Sequence, residues 1–323
     1  MSVTARKAVA VGGGTGLPSV LQCLLDSGFE TSAVVTMADD GGSSGKLRRD
    51  FGMLPPGDIR NCLTAMAAKD NPYREVFQYR FSTGEGLEGH SLGNLIIAAL
   101  TETRGSFTAA IEAVEEMLNS RGRALPSTME SVQLTAVDTA GNSLMGQARI
   151  AHTVGPIAQV RMEPDHPAPY PPAVEAIEEA DVIVVGPGSL FTSLLPNFLV
   201  DGLIDAARRS SAIKVYVCNL ANAHGETNGM DAADHVEALL AHGLEGIFDA
   251  VLVHVADDSS APEGEATLCD DDGEAEPVCA DATVRSRIEN LGLRVVSGDL
   301  VNPECPTRHH PEKLCRLLSE VFE

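Results

Sequence analysis

The sequence predicts an α/β protein, a doubly wound and mainly parallel sheet with a small antiparallel β excursion. Three observations carry the prediction. Short apolar runs, such as residues 8–11 and 181–185, alternate with amphipathic helical stretches along the chain. Those runs lack the apolar–polar alternation of a half-exposed strand, as strands buried on both faces of a parallel sheet do. Glycine-rich turns stand at the C-terminal ends of several of them, where open α/β sheets form a ligand crevice.

At 323 residues the chain can bury a large core. A formal net charge of −23 disfavours nucleic acid and anionic lipid, which are both held through Lys/Arg–phosphate contacts. It leaves open a phosphate-bearing small molecule, held by backbone amides and one or two local arginines. No run of eighteen apolar residues exists, so no membrane span is expected. Residues 1–7 lead straight into a strand without a signal-peptide apolar region, and a cytoplasmic location is expected. The seven cysteines are scattered and form no CxxC pair, so reduced thiols are expected and neither a disulfide framework nor a zinc site is.

Residues 8–11 form the first strand, which enters Gly12-Gly13-Gly14-Thr15-Gly16, and residues 17–25 read as a helix. Strand, glycine turn and helix open a nucleotide-binding α/β unit. Leu17 replaces the third glycine of G-x-G-x-x-G, and no Lys-Ser/Thr follows. NAD is therefore a minor candidate, and a Walker P-loop is excluded. Residues 33–37 supply the second strand. Asp39 lies 23 positions after Gly16, near where an acidic residue meets a ribose in such folds.

Residues 39–61 read as a long polar loop that binds a ligand. Its glycines, Gly42 among them, allow close backbone approach, and Ser43 and Ser44 add hydroxyl donors beside Asp39 and Asp40. A helix over 59–67 follows, with Asp58 and Asn61 presenting polar groups at its start. Asp58 reads also as a simple helix cap. Residues 72–81 read as a helical stretch whose aromatics serve as core or lid. Gly89-His90-Ser91-Leu92-Gly93-Asn94 then opens an apolar helix through Leu100. Ser91 as N-cap and His90 as a structural hydrogen-bonding group stand beside ligand contact as readings.

Residues 107–119 read as a further helix. Alternating residues and turns over 121–163 read as the antiparallel excursion, either paired onto the main sheet or separate. The strand at 181–185 opens into Gly186-Pro187-Gly188-Ser189, and the strand at 215–218 delivers Asn219, followed by Gly225-Glu226-Thr227. Residues 250–255 form another strand. Residues 256–280 are acidic and poor in apolar side chains, hence a solvated loop. Asp270-Asp271-Asp272 lacks EF-hand spacing and is not taken as a metal site. A helix at 283–290, a last strand at 293–296 and a helix at 311–321 complete the chain. His309 and His310 read as solvated loop residues, and Arg308 as a phosphate partner.

Several of these strings together carry a resemblance. They are Gly12-Gly13-Gly14-Thr15-Gly16-Leu17, Ala38-Asp39-Asp40-Gly41-Gly42-Ser43-Ser44-Gly45, Leu54-Pro55-Pro56-Gly57-Asp58-Ile59-Arg60-Asn61-Cys62, Gly89-His90-Ser91-Leu92-Gly93-Asn94, Gly186-Pro187-Gly188-Ser189-Leu190 and Arg308-His309. The chain resembles the bacterial gluconeogenesis-factor (YvcK-like) family, within the 2-phospho-L-lactate transferase (CofD-like) superfamily, over nearly its whole length. The resemblance implies a single Rossmann-like nucleotide-binding domain over 1–323, with a β-rich insertion at about 121–165 and an acidic loop at about 256–281. It implies a UDP-sugar ligand such as UDP-N-acetylglucosamine, no settled catalysis, and a role in cell shape, wall synthesis and growth on gluconeogenic carbon. A homo-oligomer is expected. The transferase branch implies an alternative, a magnesium-dependent phospho(lactate)transferase acting on a nucleotide-diphospho donor. In that case Asp58, with Asp39 and Asp40, would hold Mg²⁺. The chain departs from the family pattern at Leu220-Ala221-Asn222-Ala223-His224, where a Met-Thr-Gln-Pro run is usual.

On this reading Gly12, Gly13, Gly14, Thr15, Gly16, Gly186, Gly188 and Ser189 face a pyrophosphate. Asn219 stands beside them. Asp39 or Asp40 accepts from ribose or sugar hydroxyls, and Arg308 pairs with phosphate. Gly42, Ser43, Ser44, Asp58, Asn61, His90, Ser91 and Asn94 complete the expected ligand contacts.

Overall fold

The structure, a computed structural model, describes residues 5–153, 156–256, 268–270 and 273–322. Its strands in chain order begin with β1 (Lys7–Gly12), β2 (Glu30–Val35) and β3 (Gly122–Pro126). Next come β4 (Gln133–Asp138), β5 (Ser143–Met145) and β6 (Ile157–Glu163), then β7 (Val182–Val185), β8 (Ile213–Val217) and β9 (Ala250–His254). A short antiparallel hairpin of β10 (Leu268–Asp270) and β11 (Gly273–Ala275) follows, then β12 (Arg294–Gly298), and the antiparallel pair β13 (Val301–Asn302) and β14 (Cys305–His309).

Seven strands form one sheet in the order β12-β9-β8-β7-β1-β2-β3, and every neighbouring pair in it is parallel. All four residues of β7 are buried, as are Ala8 to Val11 and Ala33 to Val35, which is why these runs are apolar without alternation. The chain winds outward from β1 through β2 to β3. It then returns to β7 beside β1 and winds the other way. The winding therefore reverses between β1 and β7, the switch point at which open α/β sheets leave a crevice. The helix Leu17–Asp26 packs across the sheet beside the last helix, Pro311–Phe322. That last helix buries Leu314, Leu317, Leu318 and Val321, a helical stripe of i, i+3, i+4 and i+7 spacing. Phe29 and Phe322 meet edge to face at 5.6 Å.

The structure departs from the sequence expectations in five places. Residues 39–61 are not one loop: Gly42–Phe51 is a helix, ended by Gly52 at φ +66°, and Gly57–Met66 is another. Helix formation in so glycine- and serine-rich a stretch rests on tertiary ties, since Leu47 is buried and Arg48 donates to the Asp39 and Val132 carbonyls. Within 72–81 only Arg74–Gln78 is helical, with Phe77 in the core and Tyr73 and Tyr79 exposed. The β-rich insertion divides: β3 joins the main sheet beyond β2, while β4, β5 and β6 form a separate sheet in the order β5-β4-β6. The acidic stretch carries the β10–β11 hairpin, and its residues 257–267 and 271–272 lie outside the described ones. Finally, Cys23 and Cys315 are joined as a disulfide between the first and last helices, their Cα atoms 5.2 Å apart across 292 residues of sequence. Among the described residues no single helix is long and apolar enough to cross a membrane.

Candidate functional site

A cleft opens at the reversal between β1 and β7, between the turns that follow them. Gly14 takes the left-handed φ of +68°. A Cβ on Gly16 would stand 2.6 Å from the Pro187 carbonyl oxygen, so the two turns touch there only because the residue is glycine. A Cβ on Gly13 would stand 2.5 Å from Oδ2 of Asp58. The helix Leu17–Asp26 begins here with no side-chain cap, so the positive end of its dipole stands at the cleft, although Pro18 carries no N–H and the Ser19 N–H bonds the Gly16 carbonyl at 3.3 Å. Gly16→Ala is expected to destabilise the fold by about 1–3 kcal/mol, the usual cost of overpacking. A thermal midpoint within one degree of wild type would show that the turns can separate freely.

The cleft has two lobes. The larger, of about 520 Å³, is lined in part by Asn219, Asn222, Glu226 and Arg308. The smaller, of about 270 Å³, is lined by Gly14, Asp39, Asp58, Gln147, Thr192 and Ser193. Thr15, Gly16, Gly188 and Ser189 border both, so the lobes join at the glycine turns.

The smaller lobe holds two carboxylates. Asp39 Oδ1 accepts the Gly41 N–H at 2.9 Å, and burial raises its pKa despite the help of that amide and the Ser44 hydroxyl. Asp58 accepts the Gly14 N–H, and burial, then the charge of Asp39, push its pKa up to about 7. Ser44 Oγ also accepts the Gly57 N–H at 3.2 Å, tying the helix Gly42–Phe51 to the start of the helix that bears Asp58. Asp40 turns the other way. Its carboxylate accepts the N–H groups of Gln147 and Ala148 at 3.1 and 2.8 Å and caps the short helix Gln147–Ala151. Of the adjacent pair, Asp39 alone faces the cleft.

The turn after β7 is already occupied by the protein's own groups. Asn219 clamps Gly188 like a paired strand: its Oδ1 accepts the Gly188 N–H at 3.0 Å and its Nδ2 donates to the Gly188 carbonyl at 2.9 Å. The Gly188 N–H expected to face a phosphate is thus spent inside the fold. Beyond it, Glu226 sits buried against the π-helical turn Leu190–Leu194. Its Oε1 accepts the N–H groups of Phe191 and Thr192 at 2.6 and 3.1 Å, and its Oε2 contacts the Thr192 hydroxyl at 3.1 Å. Burial pushes the Glu226 pKa up to about 7. Glu226 takes these donors, and on the opposite turn, Gly13 to Gly16, the Gly14 N–H goes to Asp58.

The remaining expected residues lie elsewhere. Ser43 Oγ joins His90 Nδ1 at 3.0 Å and receives Asn94 Nδ2 at 3.1 Å, a buried network between the helices Gly42–Phe51 and Leu92–Arg104. Gly42 starts the first of those helices at φ +43°. Ser91 is buried and does not cap its helix with its side chain. It accepts from Arg60 at 2.6 Å and donates to the Phe77 carbonyl. Asn61 opens onto a different surface hollow and accepts from Arg60 at 2.7 Å. Arg308 is exposed at the rim of the larger lobe. Its neighbour His309, expected on a solvated loop, is instead buried in β14. Its Nε2 donates to the Cys218 carbonyl at 3.1 Å, and burial holds its pKa down at about 4. Sequence reasoning singled out none of Gln147, Thr192, Ser193 and Asn222 in the cleft wall, and noted Thr192, Ser193, Asn222 and Glu226 only within longer strings. The available signal was position, since 192–193 and 222–226 each follow a strand end within a few residues.

The 2-phospho-L-lactate transferase CofD family matches residues 8–301. A putative gluconeogenesis factor of Nostoc sp. is 42% identical, covering 98% of this chain and 68% of its own length. The gluconeogenesis factor of Bacillus subtilis is 38% identical over 98% of both chains. Among solved structures, a UPF0052 family member from Bacillus halodurans superposes with a TM-score of 0.90 at 37% identity over all of both chains. With the parallel sheet, the switch-point cleft and these matches in agreement, the chain belongs to the gluconeogenesis-factor group of the 2-phospho-L-lactate transferase CofD family.

Proposed function

We propose that the cleft binds a nucleotide sugar of the UDP-N-acetylglucosamine class, in a protein that regulates cell shape, wall synthesis and growth on gluconeogenic carbon. The observation that carries this reading is the two-lobed cleft with an uncapped helix N-terminus at its waist. A diphosphate suits that waist, where main-chain amides and the helix dipole favour negative charge without a basic surface. Arg308 adds a charge-assisted hydrogen bond of about 1.5–3 kcal/mol at the rim. The larger lobe has the size for a nucleoside. Asp39 and Asp58 in the smaller lobe suit sugar hydroxyls as donors. The role in growth on gluconeogenic carbon rests on the relatives named gluconeogenesis factors, and the part in cell shape and wall synthesis on the family resemblance alone. Calorimetric titration with UDP-N-acetylglucosamine is expected to give saturable heat, weakened about tenfold or more in Arg308→Ala. Absence of both heat and thermal shift at millimolar ligand would reject the reading.

The paired carboxylates favour a second reading, a magnesium-dependent phospho(lactate)transferase using a nucleotide-diphospho donor. Two acids whose pKa values burial raises, that of Asp58 further by the charge of Asp39, form a hard-oxygen donor set in one lobe, and a divalent cation would offset their charge. Asp39 and Asp58 would hold the cation, which would supply charge neutralisation at the phosphates. Magnesium-dependent consumption of such a donor, lost in Asp58→Asn, would establish it. An unchanged donor after long incubation would exclude it.

A further inference from the structure

A second groove lies on the other side of the helix Gln147–Ala151 from the cleft. The helix Gly42–Phe51, that short helix and the β4–β6 sheet enclose about 1160 Å³. Four arginines line it: Arg48 and Arg49 from the last turn of one helix, Arg149 from the other, and Arg161 from β6. The chain has 46 acidic residues against 23 lysines and arginines, and several arginines outside the groove are in ion pairs. Arg121 meets Asp26, Arg209 meets Glu178, and Arg287 meets Asp231, Asp234 and Glu237. Among the described residues none of the groove's four arginines is in an ion pair. Arg48 donates to the Asp39 and Val132 carbonyls at 3.0 and 2.6 Å, and Arg161 to the Gln159 side chain at 3.1 Å.

Arg48 is half-buried and held by two main-chain carbonyls, so its fork is set in place before any ligand arrives. The lining also contains carboxylates. Asp40 is taken up by the amides of Gln147 and Ala148, whereas Glu163 and Asp165, on either side of Pro164, are not tied to the arginines. Val132 and Met162 supply an apolar floor. The groove thus combines arginine forks, carboxylate acceptors and an apolar surface in a space of ligand size.

We propose that this groove is a second ligand site, for a phosphorylated sugar, with the arginines on the phosphate and Glu163 and Asp165 on the hydroxyls. Guanidinium forks match phosphate oxygens two at a time. Carboxylates accept from hydroxyls but repel a bare anion, so the sugar discriminates against free phosphate. The assignment is independent of what the cleft holds, because none of the four arginines borders either lobe.

The test is titration calorimetry of the full chain with glucose 6-phosphate, ribose 5-phosphate, inorganic phosphate and glucose. The variants are Arg149→Ala/Arg161→Ala, both exposed positions where truncation spares the core, and Arg308→Ala. At least one sugar phosphate is expected to bind saturably, at least about tenfold more tightly than phosphate or glucose, and about tenfold or more weakly in the double variant than in wild type. Three results would overturn the assignment. They are no saturable heat from either sugar phosphate at millimolar concentration, equal binding of inorganic phosphate, or a loss in Arg308→Ala without one in the double variant.

Discussion

Glu226→Ala is expected to lower the unfolding free energy by roughly 3–5 kcal/mol, a large part of the stability of an ordinary domain. The carboxyl is buried and serves three groups, the Phe191 and Thr192 N–H groups and the Thr192 hydroxyl. Alanine would leave all three without a partner in the interior, at about 1–3 kcal/mol for each buried donor. Glu226→Gln separates hydrogen bonding from charge. Its Oε1 can accept both N–H groups and its amide can donate to Thr192, so the loss is expected to stay below about 1 kcal/mol. The pH dependence follows from the pKa of about 7, raised by burial above the ordinary 4.5. The folded protein holds this proton more tightly than the unfolded chain does. The stabilisation is therefore complete below about 4.5 and lost as pH rises through about 7. Urea unfolding of wild type, Glu226→Ala and Glu226→Gln at pH 5 and pH 8 measures both effects. A loss under about 1 kcal/mol in Glu226→Ala at pH 5 would mean that water reaches these donors.

The contrast between Asp39, Asp40 and Glu226 shows what the sequence could express. Strands such as β7 were legible because burial on both faces leaves only apolar residues, and the last helix because one stripe must be apolar. The glycine turns were legible because close backbone approach, as at Gly16 against Pro187, admits no other side chain. Asp39 and Asp40 are chemically identical neighbours. Which of them faces the cleft is decided by Gln147 and Ala148, over a hundred residues later, whose amides draw Asp40 away. The helix Gly42–Phe51 was hidden because its intrinsic propensity is poor and its support, Arg48 reaching Val132, is distant in sequence. Ser43, His90 and Asn94 have the chemistry of ligand contacts, yet they satisfy one another between two helices. The Cys23–Cys315 pair carries no spacing signal at all.

Asp58→Asn is expected to stabilise the ligand-free protein by about 1–3 kcal/mol at pH 8 while weakening whatever the smaller lobe binds. Asp58 sits against Gly13, accepts the Gly14 N–H and faces the charge of Asp39, so its pKa rises from the ordinary 3.8 to about 7. A proton is again bound more tightly in the folded state. Its contribution is complete below about 4 and lost as pH rises through about 7. Each pKa unit corresponds to about 1.4 kcal/mol. Asp58 keeps partial contact with solvent at the cleft floor, so only part of that sum should be recovered. Asparagine retains an oxygen for the Gly14 N–H and carries no charge. The variant should therefore match wild type near pH 4.5, exceed it at pH 8, and show a flatter stability profile between them. Such a gain would mark Asp58 as a residue kept at a cost in stability for its charge in the cleft, as a functional carboxylate is. Thermal midpoints of the two proteins across that range, beside calorimetry with UDP-N-acetylglucosamine, give the comparison. If the variant is the less stable protein at pH 8 and binds the ligand as well as wild type, Asp58 is a helix-start residue and no more.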